Sequence, residues 1–174
     1  LFLIFSDHLL SFASESDLSK LQLQRHEVQQ LYDRLISNGK IKESYGLKFL
    51  PKVKKYYNKH VSWLDAGCGQ CSVVHDLLKS GRDAYGVEVS PSALKGSVCK
   101  TLVQAQRVQH SSLISIPHAN ESFDLVFSSD VLEHIPSVDI PKVVSELVRV
   151  TKGDIFLSIS LRSSNEDPPP PAEI

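Results

Sequence analysis

Two acids and two glycines mark where this chain could do chemistry. Asp65-Ala66-Gly67-Cys68-Gly69 places a carboxylate just ahead of a glycine-rich turn. Gly67 and Gly69 let the backbone turn tightly and approach a ligand where a Cβ would collide. A helix opening near Cys71-Ser72 would aim its free N–H groups at that turn and favour negative charge there. Glu88 follows Gly69 by nineteen positions, where a carboxylate can accept hydrogen bonds from both hydroxyls of a ribose. Asp65 narrows the ligand further. A carboxylate there repels a pyrophosphate and attracts a cation such as an ammonium. The ligand chemistry is therefore a ribose at one end and an amino-acid group at the turn. A second polar pair, His134 with Glu133 beside it, could move a proton.

The elements that must carry these residues are visible as patterns. Val61 to Asp65 is an apolar strand, and Ala84 to Glu88 is another, with a helical stretch between them. That is a β-α-β unit built around a nucleotide. Ahead of it, Leu18, Leu21, Val28, Leu31 and Leu35 recur near helical spacing from Ser14 to Ser37, and Asn38-Gly39 supplies a stop. A second helical stretch, Ile41 to Asn58, is interrupted by Pro51. After Glu88, Ser90-Pro91-Ser92 starts a helix running to Lys100. Val103 to His110 supplies a weakly marked third strand and Phe123 to Phe127 a fourth. A helix from Ser137 to Val150 and a fifth strand from Ile155 to Ile159 follow. As a strand-end carboxylate, Glu88 is expected to lie outside the core.

Asp65, the two glycines and Glu88 resemble the first motif and following acidic strand of class I S-adenosylmethionine-dependent methyltransferases. Cys71 stands where that family's pattern usually has its third glycine. Ile116-Pro117 through Phe123-Asp124 resembles the family segment leading into the fourth strand. Asp130-Val131-Leu132-Glu133-His134-Ile135 resembles the ubiquinone-synthesis O-methyltransferases and their small-molecule relatives. The resemblance implies an α/β fold, a Rossmann-like doubly wound, mostly parallel sheet, with S-adenosyl-L-methionine as cofactor and a small-molecule acceptor. It implies cofactor contacts from Asp65, Gly67, Gly69, Glu88, Val89 and Ser128. Ser112 stands where the family often has an acid for the adenine amine, with Leu113 beside it as a substitute contact. His134 is the candidate general base, with Glu133 beside it. Asp130, Glu133 and His134 also resemble a divalent-ion set. Three residues so close in sequence seldom complete a site, so no metal is assigned.

The family fold has strands in the order 3-2-1-4-5-7-6, the last two forming a hairpin, and only five strands can be counted here. The expectation is a family member cut short at its C-terminus. Its parts are an N-terminal helical cap (1–60), a cofactor-binding core (61–160) and a proline-rich tail (161–174). The fifth strand then becomes an open edge, through which self-association is expected.

Composition sets the remaining bounds. At 174 residues, with 41% hydrophobic and 22% charged residues, the chain is one soluble domain with room for a core. A formal net charge of −1 supplies no general field for nucleic acid or a membrane surface, and no nucleic-acid partner is expected. Lys52, Lys54, Lys55 and Lys59 read as a solvated face. Leu1 to Phe5 is too short to span a bilayer. It could be the remnant of a signal or anchor segment, or the start of a packed helix. Three cysteines do not make a disulfide framework, so reduced thiols and a cytoplasmic location are expected. Cys68-Gly69-Gln70-Cys71 reads as two small turn residues, since no second pair exists to complete a zinc site. Two other readings stay open. A degenerate methyltransferase-like binding module would bind without catalysis. An NAD-dependent oxidoreductase is opposed by Asp65 ahead of the glycines and by Ser72 in the third fingerprint position. No P-loop lysine follows the turn, which argues against an NTPase.

Overall fold

The computed structural model describes residues 15–39 and 44–160, with side chains from residue 19 onward. The expectations for Leu1 to Phe5 and for the tail beyond residue 160 lie outside the described residues. The elements are α1 (Glu15–Ser37), a 3-10 turn (Tyr45–Lys48), α2 (Leu50–Tyr56), β1 (Ser62–Ala66), α3 (Ser72–Lys79) and β2 (Asp83–Glu88). Then come α4 (Pro91–Leu94), α5 (Ser97–Gln104), β3 (Val108–His110), β4 (Phe123–Ser129), α6 (Ile140–Val150) and β5 (Thr151–Ser158).

All strand pairs are parallel, in the order β3-β2-β1-β4-β5. The chain steps outward from β1 to β2 and β3, then returns to the other side of β1 with β4 and β5. The switch between β1 and β4 opens a crevice at their C-terminal ends, where open α/β sheets bind ligands. Strand alternation divides the core in two. Trp63, Leu125 and Phe127 pack on one face with Val73, Val74 and Leu77 of α3 and Leu102 of α5. Leu64, Ala66, Val87 and Val126 pack on the other face with Val143, Leu147 and Val150 of α6. Those three α6 side chains, spaced four and three apart, are essentially buried. Their removal from water contributes about 5–9 kcal/mol gross, which pins β4 and β5 to the sheet.

Four local expectations are corrected. Pro51 begins α2 instead of interrupting a longer helix, because a proline in the first turn gives up an N–H that would have no partner anyway. The helix expected from Ser92 to Lys100 breaks at Gly96, and α5 then runs on to Gln104. The third strand consequently starts at Val108, not Val103. β5 begins at Thr151, directly out of α6. Gly153 permits this, since a Cβ there would collide with the Asp124 carbonyl oxygen.

Polar ties to the body fix α1. Arg25 Nε donates to Asp139 Oδ2 at 2.7 Å, and a second bond joins Nη2 to Oδ1. Asp33 Oδ1 accepts from the Ser90 hydroxyl and, at 3.1 Å, from the Ser92 N–H. Gln29 Nε2 donates to the Val89 carbonyl at 3.2 Å. These ties reach both the β2 end and the segment after β4, so α1 bridges the crevice.

Candidate functional site

Beneath α1 lies a cavity of about 580 Å³. Gly67, Gly69 and Glu88 contribute to one side of it, and Val89, Ser112 and Leu113 continue that wall. Val28, Tyr32, Leu35 and Ile36 of α1 add an apolar surface. Asp130, Val131 and His134 line the segment that follows β4.

The turn is held by the second strand. The N–H groups of Gly67 and Cys68 both donate to the Val87 carbonyl, at 2.9 and 3.0 Å. Gly67 has φ +83°, and a Cβ there would meet Val131 Cγ2 at 2.6 Å. Gly69 has φ +52°, and a Cβ there would meet nothing within 4 Å. The floor is thus open at Gly69 and tightly closed at Gly67.

Glu88 is fixed from two sides. The Gly69 N–H donates to Oε2 at 2.8 Å and the Ser90 N–H to Oε1 at 2.7 Å. Only 7% of the residue is exposed. This corrects the expectation that Glu88 lies outside the core: the carboxylate buttresses the turn as well as facing the cavity. Burial raises its pKa, against the pull of its backbone donors.

Asp65 sits mid-sheet, paired with Gly86 of β2 and Phe127 of β4, and lies behind the turn without lining the cavity itself. It is 3% exposed, and Oδ2 has no hydrogen-bond partner among the described residues. Burial, then the nearby Glu88 charge, push its pKa up to about 8. Without a cationic partner beside it, Asp65 is therefore mostly protonated at neutral pH. A cation brought beside it would favour the ionised form.

The structure separates the other expected residues. His134 lines the cavity, its ring edge-on to Tyr32 with centroids 4.9 Å apart. Glu133 does not line it; its Oε1 accepts from the Ser160 N–H at 2.7 Å. Ser128 is also corrected, because its buried hydroxyl donates to the Ala66 carbonyl at 2.9 Å, and Ser129 takes its place on the cavity. Strand alternation decides this, since neighbouring residues face opposite ways. Asp130 follows in the left-handed region, at φ +54°. Among the described residues, no three His, Cys, Asp or Glu side chains gather closely enough to hold a metal ion. The expectation of three free thiols is corrected at two positions, because Cys71 and Cys99 form a disulfide. Sequence reasoning missed Arg25, Gln29, Tyr32, Asp33 and Asp139. The helical spacing of α1 was legible, but nothing local showed what it covers.

A parallel sheet with an acid-glycine turn, a buttressed carboxylate at the next strand end and a covered crevice defines a nucleotide-cofactor domain. The match extends to a named family. The methyltransferase domain model matches residues 64–159, and the chain belongs to that family. A curated relative, the ubiquinone biosynthesis O-methyltransferase of Hydrogenovibrio crunogenus, is 25% identical over 117 residues, covering 64% of this chain and 47% of the relative. The chain thus spans about half the length of that protein. Among solved structures, a SAM-dependent methyltransferase from Aquifex aeolicus has a TM-score of 0.56 at 20% identity, with 80% of each chain covered. The PH0226 protein of Pyrococcus horikoshii also has a TM-score of 0.56, at 20% identity, covering 64% of this chain and 55% of that one. At these identities the likeness shows the fold.

The site fits the family's cofactor, S-adenosylmethionine. An open cradle at Gly69 and a fixed carboxylate at Glu88, with an unpartnered buried oxygen on Asp65 outside the lining, match a ligand carrying ribose hydroxyls and positive charge.

Proposed function

We propose that this chain is an S-adenosylmethionine-dependent methyltransferase acting on a small-molecule acceptor. The observation that carries the reading is Asp65, a buried acid with an unpartnered oxygen beside the turn that Glu88 buttresses. When bound, S-adenosylmethionine supplies a methyl group made electrophilic by its sulfonium. Glu88 would accept from the ribose hydroxyls with the lone pairs its backbone donors leave free. Gly67 and Gly69 would pass close under the amino-acid end, with Asp65 balancing its charge. Val89, Ser112 and Leu113 would bound the adenine.

The chain's own part in catalysis is chiefly placement. α1 closes the crevice, excludes water and presents Tyr32 to the acceptor side; alignment of this kind supplies several kcal/mol. His134 would take the proton from a hydroxyl acceptor. Glu133 would act only through the segment it anchors to Ser160. Among the described residues, no helix is long and apolar enough to cross a membrane. The location belonging to this reading is the cytoplasm, without a nucleic-acid partner. Residues 1–60 would serve as the cap and 61–160 as the core. Among the described residues β5 is a sheet edge, with Leu157 exposed, and self-association through that edge belongs to the same reading.

Calorimetric titration tests the cofactor. S-adenosylmethionine and its demethylated product should bind, and NAD should not. Binding of NAD alone would overturn the reading. In a methyl-transfer assay, His134→Ala should lower kcat about 100-fold while leaving affinity for the demethylated product unchanged. Binding without turnover on any hydroxyl, amine or thiol acceptor would favour the binding-module reading.

A further inference from the structure

Cys71 and Cys99 are joined across 28 positions of sequence, with Cα atoms 5.4 Å apart. Both are fully buried. Cys71 is the N-cap of α3 and stands in the left-handed region, at φ +64°. Cys99 lies in α5. The bond therefore ties the Gly69 turn to α5, the second helix after the Glu88 strand. Gly69 connects the two sides. Its N–H donates to Glu88, and its carbonyl oxygen lies 3.4 Å from Cys99 Sγ and 3.7 Å from Cys71 Sγ. With the bond open, either thiol has an acceptor already in place.

The third cysteine is placed to stay out of the exchange. Cys68 Sγ is 3.9 Å from Cys71 Sγ and is a free thiol. Burial, with the Asp65 and Glu88 charges, holds it well above the ordinary thiol pKa. Thiolates, not thiols, attack disulfides. The reagent must come from outside, and because both sulfurs are buried it reaches them only when the turn or α5 opens locally. A groove of about 280 Å³, lined by His75 of α3 and Ser97, Val98, Thr101 and Leu102 of α5, has neither cysteine in its lining. His75 is one turn along α3 from Cys71, its N–H donating to the Cys71 carbonyl at 2.9 Å.

Resting on the cofactor reading of the cavity, we propose that Cys71 and Cys99 form a reversible redox-modification site for small-molecule thiols and disulfides. It sets how firmly the Gly69 turn is held for the cofactor. In oxidation, one cysteine thiolate attacks a sulfur of the reagent disulfide, breaking that bond and releasing one reagent thiolate. The second cysteine thiolate then displaces the second reagent thiolate from the mixed disulfide, forming the Cys71–Cys99 bond. Two electrons pass to the reagent, and the two cysteine protons end on the released thiols. Reduction is the reverse. The oxidised turn is pre-organised, and binding to it forfeits less freedom. The reduced turn keeps a non-glycine residue in a left-handed conformation that nothing covalent now enforces.

The test uses the 174-residue chain equilibrated in glutathione buffers rich in either the disulfide or the thiol. Alkylation in denaturant with mass detection should place one label, on Cys68, in the oxidised form and three in the reduced form. Hydrogen exchange of the amides from Gly67 to Val73 should be faster after reduction. S-adenosylhomocysteine should bind the reduced form about tenfold more weakly. Cys99→Ser should give the reduced behaviour in both buffers, and Cys68→Ala should keep the response. Three labels in the disulfide-rich buffer, or equal exchange in both forms, overturns the proposal. If neither form binds S-adenosylhomocysteine, the cofactor reading fails, and the exchange measurement decides the redox site by itself.

Discussion

Asp65 allows the sharpest test of the site, because its charge in the free protein differs from the charge its ligand needs. With a pKa of about 8, only about 1% of the free protein carries the ionised carboxylate at pH 6 and about 10% at pH 7. A ligand with positive charge beside Asp65 binds the ionised form, so binding must expel a proton. Affinity should then rise about tenfold per pH unit, or about 1.4 kcal/mol, between roughly pH 5.5 and 7.5. That window stays below the titration of the ligand's own amine, near 7.7–8.0 for an α-amino group. The assay is titration with S-adenosylmethionine across the window, in buffers of different ionisation heat, which should read close to one proton released per ligand. Asp65→Asn should remove both the slope and the released proton, costing most affinity at the upper end. A wild-type affinity flat with pH, or an unchanged slope in the Asn variant, would refute the argument. The free protein supplies a second check of opposite sign. Asp65 and Glu88 both titrate above their unfolded values, so the native state holds more protons than the unfolded state. From these two groups, stability is greatest at acid pH and falls as pH rises toward about 8. Asp33, Asp124 and Glu146 are depressed, and their contributions are lost only as pH falls below about 4. His118, lowered by burial and by the Arg149 charge, works the other way up to about pH 6.5. The Tm of the ligand-free protein should therefore fall most clearly between about pH 6.5 and 7.5, while the increment added by ligand grows.

Glu88→Ala should weaken S-adenosylhomocysteine binding about ten- to a hundredfold, from two lost charge-assisted hydrogen bonds. It should also cost about 1–2 kcal/mol in urea unfolding, because the Gly69 and Ser90 N–H groups lose their acceptor and only part of that is offset by relief of a buried charge. Gly67→Ala should destabilise by about 2–4 kcal/mol, through left-handed strain plus the clash with Val131. Gly69→Ala should cost only about 1 kcal/mol of stability yet weaken ligand binding, since its methyl occupies open space at the cavity; equal stability losses in the two variants would contradict the geometry. Arg25→Ala should cost about 1–2 kcal/mol, a figure reduced because Arg25 is 37% exposed. The same variant should speed hydrogen exchange in α1, and unchanged exchange would mean that Asp139 does not hold the helix. Light scattering across a concentration series should show self-association, which a charge introduced at Leu157 should reduce.

The β1-turn-α3-β2 unit was legible because its signals are local. Strand alternation, two glycines and an acid at each strand end are properties of a few neighbouring residues, and the backbone obeys them wherever the unit sits. The order of the sheet followed from the family resemblance that those motifs carried. Boundaries failed where local cues were ambiguous. Gly96 and Pro51 were visible, but whether each breaks or begins a helix depends on what packs around it. The rest was set at long range. Arg25 meets Asp139 across 114 positions, and Asp33 meets Ser90 across 57. Neither pair leaves a pattern that a short stretch could reveal, so the helix was readable and its position over the cavity was not. Cys71 and Cys99 meet only because α3 and α5 pack on the same face of the sheet. The choice of Ser129 over Ser128 turned on a pleat that one residue of register inverts. The sequence placed the acid at Asp65 and the nature of its ligand. Only the tertiary structure made that acid a proton carrier, because its pKa is raised by the water it has lost and by the Glu88 charge that the fold brings beside it.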